Sequence, residues 1–216
     1  MCLERHLQGV SSFDCERMTE MTDKRLEKQL KFVLEIDKEK EILRQTHLTS
    51  GRRENDAEHA WHMALMVYLL REYANEEFDL AKAMMMALIH DVVEIDAGDT
   101  YAYDAAGLAT QQEREEKAAD RIYGLLPEDQ KEELRALFDE FEAGETPEAK
   151  FVHVMDNLQP MMLNDSRGGA DWKDRGVAKS QIYRRNCNTG AGSEELWQYL
   201  QEIVERNIKR GSIKDE

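Results

Sequence analysis

The sequence predicts an all-α domain, and three observations carry that expectation. Apolar residues recur every three or four positions through most of the 216 residues. No stretch sustains the two-residue alternation and β-branched enrichment of a strand, and helix start and stop residues punctuate the chain. A chain of this length can bury a sizeable core as one unit. A single helical bundle over residues 22–210 is therefore expected, preceded by an N-terminal arm, residues 1–21, whose periodicity is weak.

From the cap-like pair Thr22-Asp23, Leu26, Leu30 and Val33 fall at helical spacing, and Ile36, Ile42 and Leu43 extend the apolar content as one bent helix or two short ones. Residues 45–55, with Ser50-Gly51, read as a polar loop bordered by Arg44, Arg52 and Arg53. Asp56 can cap a helix whose apolar side is Ala57, Trp61, Ala64, Leu65, Tyr68 and Leu69, with His59 in its first turn. Asp79 can cap the next, which ends near His90-Asp91 before the turn Asp96-Ala97-Gly98-Asp99. Further helices are expected at about 110–125, 128–142, 147–163, 174–186 and 194–209. Thr146-Pro147 and Ser193 mark two of the starts, and Gly211 marks the last stop. Pro160 lacks the N–H that Asp156 C=O would normally accept from, so a bend is expected there. Met84-Met85-Met86, Met161-Met162, Trp197 and Tyr199 read as packing residues.

The formal net charge of −16 gives a surface that repels polyanions, so nucleic acid is not an expected partner. A small phosphate ester stays compatible, because a bound dication and a few arginines can reverse the potential inside one pocket. Cys2, Cys15 and Cys187 are scattered and form no pairing motif, which suits a reducing compartment. Met1 to Asp14 has no uninterrupted apolar stretch and no later segment is built to span a membrane, so a cytoplasmic protein without a membrane partner is expected.

His59, His90, Asp91 and Asp156 form the chemical core of the sequence. Two imidazoles and two carboxylates suit one divalent transition metal. Singly, each is unremarkable, since His6, His47, His62 and His153 also occur. Their setting is more specific: Ala87-Leu88-Ile89 and Val92-Val93 flank the His90-Asp91 pair, and Phe151, Val152, Val154 and Met155 precede Asp156. Polar groups among apolar neighbours need a partner, and a metal satisfies them. His62 is better suited to packing or to supporting a ligand.

The blocks Arg52-Arg53-Glu54-Asn55-Asp56-Ala57-Glu58-His59-Ala60-Trp61 and Leu88-Ile89-His90-Asp91-Val92-Val93-Glu94-Ile95-Asp96-Ala97-Gly98-Asp99, followed by Asp156, resemble the HD-domain phosphohydrolase superfamily. Within it they are similar to the branch containing bacterial 5'-deoxynucleotidases, over about residues 26–163. The resemblance implies a metal held by His59, His90, Asp91 and Asp156, manganese or cobalt foremost, with zinc, iron or magnesium as alternatives. It implies Glu94 as acid/base or water-orienting group, Asp99 as a carboxylate beside the substrate, and Arg44 on the phosphate. Arg52 is a second candidate for phosphate, since a guanidinium can form paired hydrogen bonds to it. A homodimer is also implied. The family's deoxynucleotidases carry a tryptophan after that arginine, helping to exclude a ribose hydroxyl; this chain has Gln45, so strict deoxy selectivity is not implied.

The expected function is thus a metal-dependent phosphomonoesterase of nucleoside 5'-monophosphates or a similar small phosphate ester. The alternatives are hydrolysis of nucleoside triphosphates, cyclic nucleotides or alarmones, and a non-catalytic metal-containing ligand sensor.

Overall fold

The computed structural model describes residues 12–216. Residues 1–11, half of the expected N-terminal arm, lie outside the described residues. Helix α1 (Ser12–Ile36) begins ten residues before the cap expected at Thr22-Asp23 and runs into a 3₁₀ turn at Asp37–Glu41. The chain then forms α2 (Asp56–Leu70), α3 (Leu80–Ile89), α4 (Glu94–Ala97), α5 (Ala105–Tyr123), α6 (Glu128–Ala143), α7 (Pro147–Ser166), α8 (Ala170–Arg175), α9 (Lys179–Arg185), α10 (Thr189–Gly192) and α11 (Glu194–Lys209). The all-α expectation holds, with one addition.

Residues 45–55 are not simply a loop. β1 (Leu43–His47) and β2 (Arg53–Asn55) pair antiparallel around Gly51, whose φ of 88° is a conformation glycine adopts without penalty. These strands are short and polar, so they lack the alternating apolar signal that would have revealed them. The register slips between Leu43 and His47, and an irregular strand can turn consecutive side chains toward one side. Arg44, Gln45 and Thr46 accordingly line the same cavity.

Caps explain most of the boundaries. Asn55, rather than Asp56, caps α2: its side chain accepts from Glu58 N–H while Glu58 reaches back to Asn55 N–H. Asp79, Thr146 and Ser193 cap α3, α7 and α11 as expected, and Asp104 starts α5 five residues earlier than the apolar spacing alone indicates. Gly176, at φ 62°, divides the expected 174–186 helix into α8 and α9. Gly211, at φ 75°, follows α11. Pro160 lies inside α7 without ending it.

α7 is the spine of the domain. It packs against α2, α3, α6, α10 and α11, and its buried residues include Phe151, Val152, Met155 and Leu158. Met63 and Val67 of α2, Met86 of α3, and Leu200 and Ile203 of α11 complete that core. A second cluster joins Phe32, Val92, Val93, Ile122, Tyr123 and Phe138 beneath α4. Phe151 is 1% exposed and its ring centre lies 5.0 Å from that of Phe78. Phe151→Ala should cost about 3–5 kcal/mol through lost burial and the remaining cavity, read as a lower denaturation midpoint; an unchanged midpoint would contradict the spine assignment.

Candidate metal centre

α3 ends where the chemistry begins. His90 is its C-cap, and the turn that follows lets Glu94 N–H donate to Asp91 C=O at 2.9 Å, so Asp91 and Glu94 meet through a turn rather than along a continuous helix. His90 Nδ1 donates to Ala87 C=O at 2.9 Å, which orients the ring and leaves Nε2 facing the centre. That Nε2 is buried without an aligned hydrogen-bond partner, 3.2 Å from Asp91 Oδ1.

His59 is wholly buried beneath the cavity floor. Its Nε2 lies 3.2 Å from Asp156 Oδ1 and 3.9 Å from Asp91 Oδ2. One potential donor atom from each of His59, His90 and Asp91 lies within 4.8 Å of the others, and Asp156 closes the set through His59. The four expected ligands therefore converge from α2, the end of α3, and α7. The converging lone pairs and the unpartnered Nε2 fit a divalent cation held by nitrogen and oxygen. Behind His59, Glu54 Oε2 stands 3.7 Å from Nδ1, Gln159 donates to Glu54 Oε1 at 2.6 Å, and Gln159 Nε2 also lies 3.2 Å from His62 Nδ1. His62 thus stands behind His59, linked to it through Gln159 and Glu54.

The electrostatics demand positive charge. Burial would lower His90, but Asp91 outweighs it and raises the ring to about 9. Burial would raise Asp91 and Asp156, yet His90 and Arg44 hold Asp91 below the ordinary carboxylate range, and the hydrogen bond to His59 with the charge of Arg185 does the same for Asp156. His59 is pushed down to about 4 by burial and then by Arg44. Burial and the charge of Asp91 raise Asp56 to about 7 and Glu94 well above its usual value. Asp99 is raised chiefly by burial.

Arg44 answers these carboxylates. Its Nη1 donates to Asp91 Oδ2 at 2.5 Å and to Asp56 Oδ1 at 3.2 Å, and Nη2 is 4.0 Å from Asp156 Oδ1. Arg53 donates to the carbonyls of Arg44 and Leu43, both at 2.6 Å, and so anchors the strand that presents Arg44. Arg52 is not brought into the cavity. It precedes β2 on the outer side of the hairpin, where Glu58 offers both carboxylate oxygens at 2.8 and 3.0 Å. Arg185 of α9 instead reaches the centre, donating to Asp156 Oδ2 at 2.9 Å.

His90, Asp91, Glu94, Asp99, Asp156, Arg44 and Arg185 border one cavity of about 260 Å³. Glu94 and Asp99 each keep a buried carboxylate oxygen without a partner, Oε2 and Oδ2. Glu54, Asp56, Gln159 and Arg185 were missed by sequence reasoning. Polar residues in the otherwise apolar α7 could have exposed Gln159, and Glu54 and Asp56 lie within the block that includes His59. Arg185 sits in a segment with no distinguishing pattern.

The HD domain family matches residues 36–197. Human 5'-deoxynucleotidase HDDC2 is 32% identical over 111 residues, covering 51% of this chain and 53% of that protein. The fission yeast (Schizosaccharomyces pombe) 5'-deoxynucleotidase hdd1 is 30% identical over 111 residues, covering 49% and 54%. The chain spans about half the length of the curated relatives it matches. A crystal structure of a predicted metal-dependent phosphohydrolase from Magnetospirillum magnetotacticum MS-1 superposes with a TM-score of 0.85 at 47% identity, covering 89% of this chain and 97% of that one.

Proposed function

The chain belongs to the HD domain family, and from that premise we propose that it is a metal-dependent phosphomonoesterase of nucleoside 5'-monophosphates or a similar small phosphate ester. The observation that carries the proposal is the convergence of His59, His90, Asp91 and Asp156 beside Arg44 and a buried Glu94 at a single cavity. Those four side chains would hold one divalent cation. When bound, such an ion supplies Lewis acidity, making water a better nucleophile and offsetting phosphate charge.

The chain's own groups account for the rest of the reaction. Arg44 would direct its N–H groups at two phosphate oxygens, a geometry in which guanidinium outperforms ammonium. Arg185 would add positive charge on the opposite side of Asp156, the role sequence reasoning gave to Arg52. Glu94, with Oε2 free, would take the proton from attacking water and return it to the alcohol as the phosphorus–oxygen ester bond breaks. Asp99 Oδ2 would accept from a sugar hydroxyl. Manganese or cobalt is the cation proposed first, with zinc, iron and magnesium next.

No described helix is long and apolar enough to cross a membrane. A cytoplasmic setting is proposed on the scattered cysteines, with Cys187 free and exposed. Trp61, Leu65 and Leu69 of α2 and Met85 and Leu88 of α3 turn apolar surface outward, which supports a homodimer.

The test is a panel of nucleotides incubated with metal-stripped protein resupplied with manganese, cobalt, magnesium or zinc in turn. Inorganic phosphate should be released from monophosphates, chelator should abolish it, and chelator should also lower the melting temperature, because a ligand bound only by the folded state stabilises it. Absence of release with every cation, or pyrophosphate as the product from triphosphates, would refute the assignment.

A further inference from the structure

The cavity extends well beyond the metal-ligating carboxylates, and its far end has chemistry of its own. Along α7 it is lined by Asp156, Asn157, Pro160, Met161 and Asn164. Asn164 stands eight residues past Asp156, about 12 Å along the helix axis. That is comparable to the distance from the phosphorus of a nucleoside monophosphate to the edge of its base. Next to Asn164 the chain turns into α8, whose Trp172 and Arg175 also border the cavity. Arg175 lies over the Tyr101 ring at 4.3 Å and hydrogen-bonds Gln45 of β1, and Tyr101 meets Tyr103 edge-on at 5.3 Å. The far end is thus an aromatic and guanidinium wall, the surface on which a flat heterocycle stacks.

Asn164 supplies a directional element on the α7 side of that wall. It is 7% exposed, and its Nδ2 donates to Pro160 C=O at 3.1 Å. That bond fixes the amide, since the reverse orientation would set oxygen against oxygen. Asn164 Oδ1 is left buried with no partner. A buried acceptor without a donor is costly, and a ligand N–H would relieve the cost. A ligand carbonyl in the same place would worsen it.

We propose that Asn164, with the Tyr101–Arg175–Trp172 wall, forms a nucleobase subsite that selects bases bearing an exocyclic amino group, adenine or cytosine, over their keto counterparts hypoxanthine and uracil. This inference rests on the nucleotide phosphomonoesterase reading and specifies which nucleotides that site takes. The selection is exerted at Asn164 Oδ1, far from the reacting phosphorus, so it alters KM more than kcat.

The experiment compares each amino/keto pair, AMP with IMP and CMP with UMP, by kcat/KM in wild-type protein and in Asn164→Leu. The wild-type protein should favour the amino member of at least one pair by about tenfold or more, and Asn164→Leu should bring that ratio near one with kcat largely kept. In parallel, calorimetric titration of wild-type protein with adenosine, inosine, cytidine and uridine tests the subsite without a phosphate group, without turnover and without dependence on the variant's folding. The amino nucleoside should bind more tightly in at least one pair. Equal kcat/KM and equal binding within both pairs, or a preference untouched by Asn164→Leu, would overturn the subsite. Lack of hydrolysis of all four nucleotides, with the nucleoside preference intact, would refute the phosphomonoesterase reading and leave the subsite standing.

Discussion

Asp91→Ala is expected to remove bound metal and turnover together. Asp91 stands at the middle of the centre, with Oδ1 3.2 Å from His90 Nε2 and Oδ2 accepting from Arg44 at 2.5 Å. Its loss would delete one of the four proposed ligands and deprive Arg44 of the carboxylate nearest to it. Residues that only support a metal ligand are worth 10–100-fold in affinity, so removal of the ligand itself should exceed roughly a hundredfold. Elemental analysis after gel filtration reads metal content, and phosphate release reads activity. A variant that keeps both would exclude Asp91 from the centre; circular dichroism checks that the variant has folded.

Glu94→Gln should separate the two readouts. Glu94 is 6% exposed, near Asp91 and Asp56, and its Oε2 has no partner. Glutamine keeps size and hydrogen bonding and removes the capacity to exchange a proton. Metal content should stay at the wild-type level while kcat falls by about 10²–10⁴-fold, the usual contribution of a positioned acid or base. Loss of metal would make Glu94 a ligand, and wild-type kcat would assign the proton transfer to another group.

Much of this was legible in the sequence because it depends on local rules. Asp79, Thr146 and Ser193 act as caps wherever their neighbours begin a helix, and the apolar surroundings of His90-Asp91 and Asp156 already required a buried partner. Arg44 was reachable through the family resemblance alone. What escaped was set by tertiary packing. The β1–β2 hairpin has only a few polar residues per strand, Asp56 reads as a cap until Asn55 is seen in that role, and Arg52 and Arg185 differ only in which carboxylate packing places before each. A single sequence has no long-range term with which to rank two arginines 133 positions apart.

The helix that carries Asp156 is also the one around which both neighbouring layers are built, with Phe151, Val152, Met155 and Leu158 locked on its other sides. Opening at that carboxylate therefore has to disrupt the packing of α7 against α2, α3, α6 and α11, whereas Tyr101 and Arg175 stand outside both core clusters. Rigidity is concentrated at Asp156, and the opposite wall is less tied to the core. Substitutions at Tyr101 and Arg175 can therefore accumulate without loosening Asp156 on the spine.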